Sequence, residues 1–331
     1  MATLKDIAAK AGVSIATVSY VLNNKGKISR ETKEKVIKAA RELGYQIDIK
    51  TRLHQYDKPN IIGVVISNFG GPFFSRLLKS IEKSANDNGY HLIAYSTSIG
   101  NTDYFIKHVF NTHRPSALIV MAYNVTDEIL LKYSSQDFPI VAIDREIEGP
   151  HLYSVIINNF QGAYDAVKYL IDCGHREIGF MGGAYNKVYE TQLRYKGYCD
   201  ALKDAGIDPE KQLYCQGAHT EKGGYTTAKM LLTQRKMPPA MFCTNDEMAI
   251  GVIKACTEAG LKIPEDVSIV GFDDIESAKD IKPSLTTIRQ PVEELAETAV
   301  QTLVMAMHGN NTIKHVKLPT KLIIRESVKC L

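Results

Sequence analysis

The chain has 331 residues, 44% of them hydrophobic and 23% charged, which is ordinary globular composition and long enough for a small domain plus a two-part body. No apolar run approaches the roughly 18 residues needed to cross a membrane, and the start lacks the basic and apolar segments of a secretion signal, so a cytoplasmic protein without membrane contact is expected. Residues 1–58 hold twelve Lys/Arg against six Asp/Glu, a net of +6, so the whole-chain +3 leaves −3 on residues 59–331 and argues against a chain that coats nucleic acid along its whole length.

The first elements are short helices. Thr3 and Asp6 have capping-box spacing, Leu4, Ile7, Ala8 and Ala11 recur at helical intervals, and Gly12 stands where a first helix must stop. Ser14 is placed to cap a second helix whose Val18, Val21 and Leu22 suit burial. Ile15, Ala16, Ser19, Tyr20 and Asn23 fall largely on its opposite side. Ser29 is the expected cap of a third helix, with Val36, Ala39, Ala40 and Leu43 as its apolar stripe and Gly44 as its end. Three such helices bury one small core and leave the second free for the major groove, and the local +6 supplies phosphate neutralisation.

The stretch DIAAKAGVSIATVSYVLN resembles the headpiece of the LacI/GalR family of bacterial transcription regulators, whose usual pattern is D-[VI]-A-x-x-A-G-V-S-x-x-T-V-S-R-V-L-N. One position departs: the family's arginine in the recognition helix is Tyr20 here, which removes a bidentate guanine contact. The residues assigned to DNA are Thr3, Ser14, Ile15, Ala16, Thr17, Ser19, Tyr20, Asn23 and Lys27. The resemblance also implies a hinge that opens Y-x-P-N and carries a leucine wedged into the minor groove. This chain reads YQIDIKTRLHQYDKPN, without the Pro-Asn start; counting from Tyr45, the wedge position falls on His54, with Leu53 one residue earlier and better suited as an apolar lever.

The expected organisation is an N-terminal all-α helix-turn-helix headpiece over 1–46, a hinge over 47–58, and an α/β body over 59–331. In the body IIGVVIS, HLIAYS, ALIVMA, IVAID, EIGFMG, AMFCT and VSIVGF read as strands alternating with helical patterns, which predicts βαβ units and parallel sheets. A loop is read around Val155 to Phe160, with the pattern resuming at Gly162, so two lobes are expected with a cleft between them. Blocks such as TNDEMAIGVIKACTEAGLKIPEDVSIVGFDD and PSLTTIRQP extend the resemblance over essentially the full chain. It implies a bilobal body similar to periplasmic sugar-binding proteins, with two Rossmann-like lobes: the first about 60–161 plus 291–320, the second about 162–290 plus 321–331. The six cysteines, at 173, 199, 215, 243, 256 and 330, show no CxxC pair, so reduced, mostly buried thiols are expected and structural zinc is not.

Open α/β sheets bind ligands at strand carboxyl ends, and those ends carry Ser67 and Asn68, Asp144 and Arg145, Asn245 and Asp246, and Asp273 and Asp274. Such groups suit paired hydrogen bonds to vicinal hydroxyls, with Phe73, Phe74 and Phe160 as walls for a sugar ring. By the resemblance, Ser67, Phe73, Asp144, Arg194, Asn245, Asp273 and Gln290 match positions that contact the effector. The competing reading of any one strand-end Asp is a helix cap.

Enzyme readings find no support. GFMGG at 179–183 lacks the G-x-G-x-x-G order, no GxSxG, HExxH or Walker A sequence occurs, and His175 has no evident nucleophile partner. Asp273 and Asp274 are adjacent on an extended segment, point apart, and cannot flank one glycosidic bond. A solute-binding protein would share the body but need export and have no use for the headpiece. The resemblance implies a repressor without cofactor or metal, acting as a homodimer on a near-palindromic double-stranded operator under a small sugar-like effector. Control by a phosphorylated carrier protein, used by one branch of the family, stays open.

Overall fold

The computed structural model describes residues 3–22, 28–43, 45, 60–97, 115–183, 189–310 and 313–331. The chain divides into two compact units, Met1–Lys58 and Pro59–Leu331.

In the first unit, helix α1 (Leu4–Ala11) opens with a reciprocal cap: the Thr3 hydroxyl accepts from Asp6 N at 3.4 Å while the Asp6 carboxylate accepts from Thr3 N at 2.7 Å. It ends on Gly12 at φ 68°, a left-handed turn that costs glycine nothing. Ser14 Oγ caps α2 (Ile15–Leu22) by accepting from Thr17 N at 3.0 Å, and Ser29 Oγ caps α3 (Arg30–Glu42) by accepting from Thr32 N at 3.3 Å. Ile7, Ala8, Val18, Val21, Val36, Ala39 and Ala40 make one buried core, with Leu22 and Leu43 packed at its edge. The expected stop at Gly44 lies outside the described residues.

The second unit holds two six-stranded sheets. The first runs β11 (His315–Leu318), β5 (Leu152–Ile157), β4 (Ile140–Ile143), β3 (Ala117–Met121), β1 (Ile61–Ile66), β2 (His91–Ser96), parallel throughout. The second runs β12 (Lys321–Ile323), β10 (Thr286–Arg289), β9 (Ser268–Asp273), β8 (Ala240–Cys243), β6 (Ile178–Gly182), β7 (Tyr214–Gln216), parallel except for β12 against β10. Helices α4 (Pro72–Asp87), α5 (Asp127–Tyr133) and α11 (Val292–Met307) belong with the first sheet. Helices α6 (Asn159–Asp172), α7 (Tyr189–Asp204), α8 (Glu221–Thr233), α9 (Asp246–Glu258) and the short α10 (Ser277–Asp280) belong with the second. The chain therefore passes between lobes after β5, after β10 and between β11 and β12. One apolar cluster runs from Ile62 and Leu77 through Ile288 and Leu318 to Phe180 and Phe272, so the lobes share a core at these crossings. Among the described residues no helix is long and apolar enough to cross a membrane.

Two expectations need correction. Residues 155–160 are not a loop: Leu152–Ile157 is a fully buried strand, and α6 starts at Asn159 with the Asn158 side chain as its cap. The run LYSVII is a strand covered on both faces, and its Ser154 is satisfied by Ile147 N at 3.0 Å rather than by water. Nor are all six cysteines free. Cys173 is disulfide-bonded to Cys330, 157 positions away, because the C-terminal segment returns to the end of α6, where Leu331 N donates to Cys173 O at 2.9 Å. Such a pair has no local spacing for a sequence reading to find. Cys199, Cys215, Cys243 and Cys256 remain free.

Helices α8 and α9 meet glycine to backbone. A Cβ on Gly224 would stand 2.3 Å from Met248 O, and one on Gly251 only 2.1 Å from Glu221 O. Overpacking of this kind costs about 1–3 kcal/mol. Gly251→Ala should therefore lower the calorimetric melting temperature by about 3–10 °C. An unchanged melting temperature would mean the helices separate at no cost.

Candidate functional site

Where β4 and β9 end, the backbone takes conformations that side chains other than glycine seldom adopt. Asp144 has φ 58°, Asp273 φ 122° and Asp274 φ 55°. Each such residue costs on the order of 1 kcal/mol or more and persists only where its surroundings hold it. Asp274 is held by two guanidinium groups, Arg289 at 2.6 Å and Arg325 at 2.5 Å, and serves as a brace. Asp144 and Asp273 instead enter a network between the lobes.

The network is centred on Arg194, 4% exposed on α7. Its Nε donates to Asn159 Oδ1 at 2.8 Å, its Nη1 donates to the Thr244 carbonyl, and its guanidinium lies 3.7 Å from the centre of the Phe272 ring. Asn159 Nδ2 then donates to Asp144 Oδ1 at 2.6 Å, which joins the end of a first-lobe strand to the first turn of a second-lobe helix. On the other side Asp273 Oδ1 stands 4.0 Å from Arg194 Nη1 and accepts from Gln290 Nε2 at 2.6 Å. Two buried atoms in this cluster, Gln290 Oε1 and Thr244 Oγ1, have no hydrogen-bond partner among the described residues. Each orphaned polar atom costs about 1–3 kcal/mol.

Negative groups outnumber positive ones here. Burial raises the Asp144 carboxyl against the opposing pull of Arg194 and the Asn159 bond. Burial likewise pushes Asp273 up to about 7, again against Arg194 and the Gln290 bond. Glu190, one turn before Arg194 on α7, is pushed up to about 7 by desolvation and by the charge of Asp144. His219 is pushed down to about 4 by burial and then by Arg194, so it is neutral near pH 7.

The structure thus brings Asp144, Arg194, Asp273 and Gln290 into one cluster. Asn245 sits beside it with both ends of its amide engaged: Oδ1 caps α9 by accepting from Met248 N at 3.0 Å, and Nδ2 donates to His219 O at 3.1 Å. Phe73 stands edge-on to Phe74, 5.6 Å between ring centres, and packs against apolar groups of both the main core and the α8/α9 core. Ser67 follows β1, where its carbonyl accepts from Ser96 Oγ at 3.4 Å. Arg145 is turned away to brace a loop, donating to Val125 O at 2.6 Å and Ala122 O at 3.0 Å. Asp246 is likewise internal, accepting from Thr287 Oγ1 at 2.5 Å and Ile275 N at 2.9 Å. Sequence reasoning missed Asn159, Glu190, His219 and Thr244. Two of them left a signal: Thr244 directly follows the apolar run AMFC, and Asn159 is the second of the two asparagines that follow LYSVII.

In the small unit, Ser14, Ile15, Ala16 and Tyr20 are exposed, while Thr17 and Ser19 are half-buried. Thr3 is exposed and its hydroxyl serves the α1 cap. Asn23, Lys27, Leu53 and His54 lie outside the described residues.

Residues 3–48 match the profile described as bacterial regulatory proteins, lacI family, and residues 167–328 that of a periplasmic binding protein-like domain. The chain is 35% identical to the HTH-type transcriptional repressor PurR of Haemophilus influenzae strain PittEE over 341 residues, covering 100% of both chains. To the repressor PurR of Pasteurella multocida strain Pm70 it is 33% identical, covering 99% of each. Among solved structures it resembles the lac repressor dimer bound to operator and the anti-inducer ONPF, with TM-score 0.75, 28% identity and 99% of each chain covered. It also resembles the regulator CelR in complex with cellobiose, with TM-score 0.70, 26% identity, and 99% of this chain and 100% of that one covered. A regulator from Enterococcus faecium with bound ribose matches with TM-score 0.75 and 26% identity over 82% of this chain and 99% of that one.

The carboxyl shifts have a measurable sign. Asp273 holds its proton more tightly folded, at about 7, than at its ordinary 3.8, so its contribution to stability is full below about pH 4 and is lost as pH rises through 7. The melting temperature of the wild type should fall between pH 5.5 and 8, and Asp273→Asn should flatten that fall. Equal slopes in calorimetry would place the Asp273 carboxylate in a solvated setting.

Proposed function

We propose, from the premise that this chain belongs to the lacI family of bacterial regulatory proteins and is a DNA-binding transcriptional repressor, that its body senses a small sugar-like effector. The carrying observation is the polar network that joins the two lobes: Asp144 to Asn159, Asn159 to Arg194, and Arg194 beside Asp273 and Gln290. A ligand seated there touches both lobes and so favours one arrangement of them over another. Repressors of this kind act as homodimers whose headpieces occupy half-sites of a near-palindromic operator, and we propose the same assembly here. A hundredfold change in operator affinity needs about 2.7 kcal/mol of differential ligand binding, within reach of one or two charge-assisted hydrogen bonds.

The chemistry of the network supports an uncharged, hydroxyl-rich ligand. Carboxylates and the Gln290 amide oxygen accept from hydroxyls, and the Arg194 guanidinium donates to sugar oxygens. A phosphorylated ligand would face Asp144, Glu190 and Asp273 against a single buried arginine. The cellobiose and ribose held by two structural neighbours belong to the class proposed.

A thermal-shift panel of sugars, sugar phosphates, nucleosides and nucleobases, followed by operator titrations, tests this reading. A free sugar should stabilise the full chain and change its operator affinity. Arg194→Lys and Asp273→Asn should each weaken that sugar about 10- to 100-fold. Deleting residues 1–58 should abolish sequence-specific binding while leaving a dimeric body. Stabilisation by nucleosides alone would keep the site and change the ligand class. Wild-type ligand affinity in both variants would overturn the site, and a response to none of the panel would turn attention to a phosphorylated carrier protein.

A further inference from the structure

The outward face of α2 lacks every side chain that makes a two-pronged hydrogen bond to a base. Its sequence, IATVSYVL, contains no acidic, basic or amide residue. Val18 and Val21 are buried in the headpiece core, and the Thr17 hydroxyl lies 2.8 Å from that of Ser14, which also caps the helix. What faces outward is Ile15, 44% exposed, Ala16, and Tyr20, 49% exposed. Ile15 and Ala16 lie on the first turn and Tyr20 on the next, within about 140° of one another around the axis.

Each base edge in the major groove asks for a particular partner. Guanine is read by Arg or Lys, adenine by Asn or Gln, and cytosine by a carboxylate, none of which α2 has. The thymine C5 methyl is the remaining feature, and alkyl and aromatic surface is its complement. An isoleucine and a tyrosine left about half exposed on a three-helix domain are apolar area that groove entry would remove from water. The basic residues of 1–58 lie outside α2, and their charge supplies phosphate neutralisation, which carries affinity rather than sequence choice.

We propose that α2 selects its half-site through thymine methyl groups, with Ile15 and Ala16 seated on one or two C5 methyls and the Tyr20 ring on another. This rests on the repressor reading above. Base choice by α2 itself is then governed by apolar fit, and the half-site opposite α2 is rich in A·T pairs.

The test begins by selecting duplexes from a random library with the full-length protein. Uracil is then placed at each thymine of the selected operator in turn, which deletes one methyl and leaves base pairing unchanged. Two or three thymines per half-site should weaken binding roughly 4-fold each when replaced, the factor that corresponds to about 0.8 kcal/mol for one methyl-sized group. Ile15→Ala should abolish the difference between thymine and uracil at one of these positions, and Tyr20→Ala at another. Both side chains are exposed, so circular dichroism melts should match the wild type. A selected operator in which uracil is tolerated at every position would overturn the proposal, as would interference that persists unchanged in both variants. No enriched sequence at all would instead contradict the repressor reading.

Discussion

A buried arginine, Arg194, 4% exposed, is the constraint around which the body is arranged. Taking Arg194 out of water costs several kcal/mol, recovered only if its donors are met and an opposite charge stands near. The body meets this with Asn159, the Thr244 carbonyl, the face of Phe272 and the Asp273 carboxylate. These partners come from α6, the end of β8 and the end of β9, so the positions of three second-lobe elements are tied to one side chain. Asn159 carries the tie across to Asp144 in the first lobe. A buried ion pair is a weak source of stability, and its value here is to fix these second-lobe elements against one another, with the bond from Asn159 to Asp144 as the link to the first lobe.

That geometry is incomplete by itself. Gln290 Oε1 and Thr244 Oγ1 are buried and unpaired among the described residues, Asp144 and Asp273 sit at positive φ, and their carboxyls are held above the ordinary range. Each feature opposes folding slightly, and each is one that the proposed hydroxyl-rich effector would relieve. Strain and unmet hydrogen bonds gathered at the carboxyl ends of two sheets are what a sensing site requires, because binding must favour one lobe arrangement over another. The two units divide the labour by chemistry. The basic headpiece exposes Ile15 and Tyr20, the face proposed to read DNA, while the mildly acidic body holds the polar network proposed to bind the effector.

Local features were legible in the sequence. Thr3 with Asp6, Gly12, Ser14 and Ser29 are decided by neighbours within four residues, and the structure uses each as its spacing predicts. The alternation of IIGVVIS, HLIAYS and their successors with helical patterns gave the parallel sheets for the same reason. What could not be read depends on distant partners. Asp246 and Asp274 look alike as strand-end carboxylates next to Asp273, yet Thr287, Arg289 and Arg325 turn them into braces. Cys173 meets Cys330 only because the chain recrosses between lobes. Asn159 was hidden by the mistaken loop at 155–160, and its importance comes from Asp144 and Arg194, fifteen and thirty-five positions away.

The central claim is that the network is the coupler between lobes as well as a binding site. Asn159 tests this most directly, since among the described residues it alone bonds both Asp144 and Arg194. The deciding measurement is the ratio of operator affinities with and without effector at full ligand saturation, in wild type and in Asn159→Ala. The account predicts that saturating ligand changes operator affinity in the wild type and leaves it nearly unchanged in the variant, even though the site is filled. Full restoration of the wild-type ratio at saturation would show that Asn159 serves ligand affinity alone and would contradict the account.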